Sequence, residues 1–322
     1  MDLGRVHAAP RPAAVLAGAA RRQEARRLRC RHALTQTGAR LRVFAAAACF
    51  STGGALFKLA TLTGWQVAGL RGGLAAFAVL ALVPEARRGW TWRAGLVGVA
   101  YAVTTILFVQ ANKLTTAASA VFLQDSSPVF ILLLAPWLLK ERPRREDLVF
   151  LGVAAVGMAC LLGAGGAPQR TATNPTLGNA LAAVSALTFA LTMMGYRWLA
   201  VGSGGSSGAV AAAAVSGNVL AFLFCLPFAL PLGTVSLTDW AIVAWLGVVQ
   251  LGAGYAVLAR AVPYLPALEV SLLLLLEPVL NPIWTWIVHR EQPGRWTVVG
   301  GVIILAATAV KSLYDARREV TQ

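Results

Sequence analysis

The sequence predicts an all-α polytopic membrane protein with ten transmembrane helices, arranged as two inverted five-helix repeats with both termini in the cytoplasm. Three observations carry this prediction: the apolar composition, ten long apolar runs, and an internal repeat at a spacing of 150 residues. The chain is 57% hydrophobic and only 13% charged, with a mean hydropathy of +0.67. Since soluble domains are about half apolar and about a quarter charged, this composition indicates a protein embedded in a membrane.

The apolar runs are long enough to cross a bilayer, because a spanning helix needs about 20 mostly apolar residues. Short connections separate the runs, and the longest, GAGGAPQRTATNPT at 163–176, is rich in residues that favour loops. This connection divides the chain into two groups of five runs. The predicted spans are residues 41–60, 65–83, 94–111, 117–139, 148–164, 177–196, 209–231, 239–259, 264–288 and 296–313.

The distribution of Lys and Arg orients these spans, because cytoplasmic loops carry an excess of both. With a cytoplasmic N-terminus, the inner segments after the N-terminal tail hold twelve Lys and Arg, whereas the outer loops hold five. Both termini are therefore predicted to be cytoplasmic. We expect an integral protein of a cell membrane, and in bacteria this is the inner membrane.

The predicted organisation has five parts: a basic N-terminal tail at 1–40, a first repeat at 41–164, a linker at 165–176, a second repeat at 177–313 and a cytoplasmic tail at 314–322. The N-terminal tail is expected to be disordered or to lie on the membrane surface. A mis-assigned translation start and a cleaved targeting segment are the alternatives.

Several function classes are disfavoured by the sequence. The net charge of +15 does not indicate nucleic-acid binding, because the basic residues fall in short clusters without a basic and aromatic motif for bases. The four cysteines and three histidines show no ligand spacing, so we expect no metal and no cofactor. The sequence contains no phosphate-binding loop, nucleophile elbow or zinc-protease helix, which argues against an enzyme.

A shift of 150 residues aligns the end of the first half with the end of the second. PVFILLLAPWLLKERP at 128–143 aligns without gaps on PVLNPIWTWIVHREQP at 278–293, so that Glu141 meets Glu291. Because each half has an odd number of spans, the second copy is predicted to lie upside down relative to the first. Inverted repeats are a transporter architecture whose substrate site lies near the membrane midplane between the repeats.

Both segments resemble the repeats of the EamA-type branch of the drug/metabolite transporter superfamily. The shared pattern is a proline in one helix, an apolar stretch, and a basic–Glu turn before the next helix. KLTTAASAVFLQDSSPVFILLLAPWLLKERP at 113–143 resembles the first repeat, and LPALEVSLLLLLEPVLNPIWTWIVHREQP at 265–293 resembles the second. RGGLAAFAVLAL at 71–82 resembles the arginine-bearing second helix of the family.

This resemblance, which covers residues 41–313, implies ten helices, cytoplasmic termini and a central cavity built by both repeats. It implies a secondary carrier, since members of the family often export amino acids, metabolites or drugs. It also implies that helices 5 and 10 pack in homodimers or close the bundle. The expected partners are therefore a small-molecule substrate and the lipid bilayer, with a homodimer as a further expectation.

Asp125, Glu269 and Glu277 lie within predicted spans, in the helices that precede the basic–Glu turns, and Glu269 is expected only to cap the entrance of its helix. Glu277 stands directly before Pro278, and Asp125 stands in QDSSP, three residues before Pro128. A charge at the centre of a spanning helix costs about 2.5–3.5 kcal/mol, so such residues usually face a cavity or a partner. We therefore predict that Glu277, Asp125 and the adjacent Gln124 bind substrate or couple its transport.

Each of these assignments has an alternative. Glu277 could carry a coupling proton, hold a substrate amine, or bond backbone carbonyls that the neighbouring prolines free. The polar side chains around Asp125 could instead form hydrogen bonds between helices. Arg71 could reach the outer interface, pair with a cavity carboxylate, or bind an anionic substrate. Glu141 and Glu291 lie in turns at helix ends, where a structural role in orienting the next helix is predicted. Pro128 and Pro278 belong to the same structural motif.

Three functions are compatible with these features. The inverted repeat and the intramembrane carboxyl groups favour a secondary exporter of a small metabolite, amino acid or drug-like compound. A carrier of phosphorylated metabolites would need several buried Lys or Arg, and only Arg71 is a candidate. A membrane protein that kept the fold without transporting is the third possibility, and an enzyme of this kind would need a nucleophile–base pair or a metal cluster within the spans.

Overall fold

The computed structural model describes residues 35–115, 117–141, 144–163, 173–204, 206–289 and 295–321. Within these ranges the chain forms helices joined by short turns, and no strand occurs in them. The first half contains α1 (35–51), α2 (Gly53–Leu59), α3 (Gly64–Leu82), α4 (Trp92–Leu114), α5 (Ala117–Gln124), α6 (Ser127–Leu138) and α7 (Arg145–Gly163). A short 3-10 helix, Pro84–Arg88, joins α3 to α4.

The second half begins with α8 and ends with the long helix α14. The chain contains α8 (Pro175–Gly202), α9 (Ser207–Ala229), α10 (Leu237–Ala244), a π-helix (Trp245–Ala253), α11 (Gly254–Ala259), a 3-10 turn (Val262–Tyr264), α12 (Ala267–Leu274), α13 (Glu277–His289) and α14 (Arg295–Thr321). Each predicted span overlaps one helix or consecutive helices separated by a short turn.

Five helical segments among the described residues are long and apolar enough to cross a membrane: Gly64–Leu82, Trp92–Leu114, Pro175–Gly202, Ser207–Ala229 and Leu237–Tyr264. Shorter apolar helices lie at Ser127–Leu138 and Val298–Ala307. Large apolar side chains remain exposed on these helices, such as Phe77, Leu223 and Trp137. The protein is therefore an integral membrane protein, since lipid can cover these side chains.

The predicted tail at 1–40 overlaps the first helix. Residues 35–40 are helical, and Arg40 is buried in an ion pair with Glu269 of α12, with 2.9 Å between Nε and Oε1. The predicted boundary at residue 40 therefore lies inside α1. Glu269, more than two hundred residues away in the sequence, stabilises the charge of Arg40. Residues 1–34 lie outside the described part of the chain.

The continuous helices α3, α4, α8 and α9 pack against one another. Small residues permit this, because they let helix backbones approach closely. A Cβ atom added at Gly98 of α4 would lie 2.7 Å from the Cβ of Ser216 and 3.0 Å from the backbone nitrogen of Gly217 in α9. Helix α7 packs against α14 within the same chain, which corresponds to the expectation that helices 5 and 10 close the bundle.

The remaining predicted spans include several that are interrupted. The helix pairs α1–α2, α5–α6 and α12–α13 break at Thr52, at residues 125–126 and at residues 275–276, and the π-helix interrupts the path from α10 to α11. The breaks at 125–126 and 275–276 lie 150 residues apart. Helices α12, α13 and α14 also begin 150 residues after α5, α6 and α7, so the internal repeat recurs in the helix boundaries.

Candidate functional site

A buried polar cluster lies where the interrupted helices meet the continuous ones, and Arg71 is at its centre. Arg71 stands in the middle of α3 and is 1% exposed. This burial contradicts the expectation that its side chain reaches the outer interface. Burying a guanidinium costs free energy unless protein groups replace its water, so its contacts define what the cluster can do.

Neutral groups hold the Arg71 guanidinium. Nη1 donates to Oε1 of Gln250 at 3.2 Å, and Nη2 donates to Oγ1 and O of Thr105 at 2.6 Å and 3.2 Å. Its Cζ lies 4.9 Å from the centroid of the Phe57 ring, a cation–π contact. Nε is buried and has no hydrogen-bond partner among the described residues. No described carboxylate forms an ion pair with Arg71, so binding of an anionic ligand is the remaining prediction.

The π-helix and the break at Thr52 together position Gln250. Its Nε2 donates to the carbonyl oxygen of Phe50, at the end of α1, over 3.1 Å. A Cβ at position 53 would collide with the amide nitrogen of Gln250, so a larger residue there would displace this side chain. Single-turn π segments inside helices occur frequently at functional sites. The irregular backbone therefore supplies the amide that Arg71 uses.

Tyr255 is within electrostatic range of both Arg71 and Glu277. Its ring centroid lies 4.8 Å from that of Tyr101, edge to face, and 4.9 Å from that of Phe50. The aromatic cluster thus fills the space between a cation from the first repeat and a carboxyl group from the second.

Asp125 and Glu277 lie next to each other, one from each repeat. Asp125 occupies the turn between α5 and α6, and Glu277 is the first residue of α13. Their carboxyl groups interact electrostatically, and Oδ2 of Asp125 is buried without a hydrogen-bond partner among the described residues. Two negative charges at close range in an apolar interior oppose each other, so the pair is suited to hold a proton or a cation.

The other predicted residues near this cluster occupy structural positions. Gln124 donates from Nε2 to Oγ of Ser185 on α8 at 2.9 Å, which is the helix–helix bond considered as the alternative. Pro128 and Pro278 are both buried at the second positions of α6 and α13. A proline in the first helical turn removes no hydrogen bond, because the N–H there has no partner within the helix. The prolines therefore begin new helices and do not distort continuous ones.

Glu141 lies away from this cluster, at the end of the molecule where α6 ends and α7 begins. Its Oε1 accepts from Nε of Arg197 at 2.8 Å, and its Oε2 accepts from the backbone N–H of Ala267 at 3.4 Å. Glu141 thus contacts the start of α12 in the other repeat, whereas the sequence pattern suggested only the helix that follows it. Glu291 lies outside the described residues.

The sequence analysis did not identify Gln250, Thr105 or Tyr255. One signal was present for Gln250: in WLGVVQLGAGY, residues 245–255, it is the single amide side chain of an apolar run. Thr105 and Tyr255 gave no comparable signal, because threonine and tyrosine are ordinary in membrane helices.

The assembled site combines a fixed cation with a pair of carboxyl groups. Arg71 can bind an anionic group through its unused Nε, and Asp125 with Glu277 can bind a cationic group or a proton. Among the described residues, no three His, Cys, Asp or Glu side chains gather in a group that could hold a metal ion. The arrangement is suited to reversible binding of a small polar solute.

Comparisons with known proteins identify the family and the fold of the chain. The model of the EamA-like transporter family matches residues 39–163 and 176–313. No curated protein matches the chain. Among 28 matching chains of solved structures, one described as "Crystal structure of protein" has a TM-score of 0.72 and 21% identity, over 88% of this chain and 99% of that one. This likeness shows a shared fold.

Proposed function

This chain belongs to the EamA-like transporter family, and from that premise we propose that it is a secondary active transporter that exports a small metabolite, amino acid or drug-like compound. In this proposal the chain crosses a bacterial inner membrane ten times, as two inverted repeats, and both termini lie in the cytoplasm. The substrate would then bind between the repeats. Alternating access in such proteins moves one repeat against the other around a central site.

One observation carries the proposal: polar atoms at the centre of the bundle are buried without partners. Nε of Arg71 and Oδ2 of Asp125 have no hydrogen bond among the described residues. Buried polar atoms are almost always paired, so an unpaired donor and an unpaired acceptor within the bundle support a ligand there. A solute with both an anionic and a cationic group satisfies them together.

The carboxyl pair also supports coupling to the proton gradient. A solute amine and a proton compete for Asp125 and Glu277, because both neutralise the same negative charge. Proton binding on one side of the membrane then releases the solute, and solute binding on the other side releases the proton.

Replacing Glu277 by Gln tests this proposal. The variant keeps the volume of the side chain but removes its charge, so counterflow in proteoliposomes should fall roughly tenfold or more, the effect of losing one charge-assisted hydrogen bond. Its pH dependence across the neutral range should also disappear. The counterflow substrate is chosen by a thermal-shift screen of amino acids, metabolites and cationic drugs with the purified protein.

Glu85→Gln is the matched control, since Glu85 is exposed in the short helix between α3 and α4. It should transport like the unaltered protein at every pH. Wild-type counterflow and an unchanged pH profile in Glu277→Gln would refute the role of the central carboxyl pair.

A carrier of phosphorylated metabolites is the second candidate, and a protein that kept the fold without transport is the third. A phosphate group calls for several cations, and Arg71 is the only described cation buried in the polar cluster. If the protein transports a sugar phosphate and Arg71→Gln abolishes this transport, the second candidate is favoured over our proposal.

A further inference from the structure

A cavity of about 270 Å³ lies at the end of the molecule where α6 meets α12. Apolar side chains such as Ile131 and Leu268 form its walls, and four charged residues, Glu141, Arg144, Asp147 and Arg197, line it as well. Ligand pockets are usually about 300–1,000 Å³, so this cavity fits a small metabolite better than a drug-sized molecule. It lies apart from the central cluster, since none of its lining residues belongs to that cluster.

The cavity is lined by two acidic and two basic side chains, but Asp147 has its basic partner outside the lining, in Lys311. Glu141 pairs with Arg197 and Asp147 pairs with Lys311, each at 2.8 Å. Arg144 is exposed, and within the described part of the chain its guanidinium forms no ion pair. The lining therefore keeps one positive charge free, which favours an anionic ligand.

The same end of the molecule carries the ion pairs that join the two repeats. Arg40 with Glu269, Glu141 with Arg197, and Asp147 with Lys311 each link a residue of the first half to one of the second. The first pair is buried, with side chains 4% and 9% exposed, whereas Glu141 and Arg197 are 26% and 18% exposed. A ligand in the cavity can therefore reach the Glu141–Arg197 pair.

Arg197, on α8, also holds the segment that precedes α12. Its Nη1 donates to the carbonyl oxygens of Val262 and Pro263 at 3.3 Å and 2.9 Å, just before α12. The guanidinium fork matches a carboxylate geometrically, so a ligand carboxylate can take the place of the Glu141 carboxylate. The apolar walls suit an aliphatic group on the same ligand.

We propose that this cavity binds a small solute with one carboxylate and an aliphatic group, and that the solute carboxylate binds Arg144 and displaces Glu141 from Arg197. The displacement removes a link between the repeats and so favours opening of this end. The consequence for opening rests on the proposed transport function, whereas the binding step does not. The predicted orientation places this cavity at the cytoplasmic face, where an exported solute arrives.

Binding of 4-methylpentanoate, and of its uncharged amide, to the purified full-length protein in phosphatidylcholine nanodiscs tests the proposal. We expect Arg144→Gln to weaken binding of the acid roughly tenfold or more, the effect of losing a charge-assisted hydrogen bond. Arg145→Gln is the control, because Arg145 is adjacent and exposed but does not line the cavity. It should bind the acid within about twofold of the unaltered protein, as surface substitutions usually do little.

Glu141→Gln should have the opposite effect on the affinity for the acid. Removing the competing carboxylate should tighten binding of the acid, while a merely structural Glu141 would leave binding unchanged or weaker. In a variant without native cysteines, Ala135→Cys should react more slowly with maleimide when the acid is bound, because the acid covers this part of the cavity wall. Thermal melting confirms that each variant is folded.

Three results would overturn the inference. The first is equal affinity of the unaltered protein and Arg144→Gln for the acid, and the second is equal affinity for the acid and the amide. The third is that phosphatidylglycerol stabilises the protein against thermal unfolding whereas the acid does not, and that Arg144→Gln abolishes this stabilisation. That result would assign the cavity to a lipid headgroup. None of these results depends on transport, so the Glu277→Gln experiment succeeds or fails separately.

Discussion

Arg71 shows at the scale of one residue how a membrane protein keeps a cation in its interior without a carboxylate beside it. Gln250, Thr105 and the Phe57 ring surround three sides of the guanidinium. Hydrogen bonds to charged groups contribute about 1.5–3 kcal/mol each, which offsets much of the cost of removing water. Nε of Arg71 is buried without a hydrogen-bond partner among the described residues, and a ligand anion would bind there.

Arg71→Lys should impair transport without unfolding the protein. A lysine ammonium is a compact point charge and cannot span Gln250 and Thr105 together, so counterflow should fall by about tenfold or more. The thermal midpoint of the purified variant should stay within a few degrees, because the charge and the aliphatic stem remain. Arg87→Lys, at an exposed position, is the control. Full activity of Arg71→Lys would show that the fork geometry is not needed.

The residue types of the site were partly predictable from the sequence. Asp125 and Glu277 stood out because carboxyl groups are rare in apolar runs, and because each precedes one of the two prolines, Pro128 and Pro278, that the 150-residue shift aligns. The partners of Arg71 were not predictable, because Thr105 and Gln250 come from α4 and the π-helix, and contacts between distant helices leave no local pattern.

The interrupted helices show at the scale of elements which backbone features a sequence reveals. The breaks at 125–126 and 275–276 each precede a proline by two residues, and proline is favoured in the first turn of a new helix, so this signal is local and visible in the sequence. The π-helix and the break at Thr52 have no proline, and the bond from Gln250 to Phe50 joins them. Tertiary contacts stabilise these two irregularities, so local sequence did not predict them.

The close packing of α4 on α9 predicts how two glycine substitutions on α4 change the stability of the protein, and one of the two serves as the control. Gly98→Ala should destabilise the protein by about 1–3 kcal/mol, because the new Cβ would overpack against backbone that cannot move easily. Gly95→Ala should instead stabilise it by about 0.4–1 kcal/mol, since alanine restricts the unfolded chain and Gly95 has no atom within 4 Å of the added Cβ. Thermal melting of both variants in detergent measures the difference. Equal melting temperatures would contradict the close approach.

Composition, apolar runs and the repeat predicted most of the architecture at the scale of the whole molecule. The 150-residue spacing read from the sequence recurs in the starts of α5, α6 and α7 against those of α12, α13 and α14. The sequence placed the N-terminal boundary too late, because Arg40 reads as part of a basic tail until its contact with Glu269 is known.

Cysteine labelling tests the predicted inversion of the two repeats. Arg145→Cys and Arg295→Cys lie at the first residues of α7 and α14, equivalent positions of the repeat. In a variant without native cysteines, a membrane-impermeant maleimide should label position 295 from outside and position 145 only from the cytoplasm. Labelling of both positions from one side would rule out inverted repeats.

The placement of the ion pairs has a consequence for how the protein responds to dissolved electrolyte. Mobile ions screen partly exposed charges more strongly than buried ones. Salt dissolved on the side of the membrane that these ion pairs face therefore weakens the ion pair between Glu141 and Arg197. The buried ion pair between Arg40 and Glu269 is almost unaffected. In the transport cycle that we propose, the balance between the forms open to either side of the membrane would then depend on the ionic strength of one compartment as well as on the solute gradient.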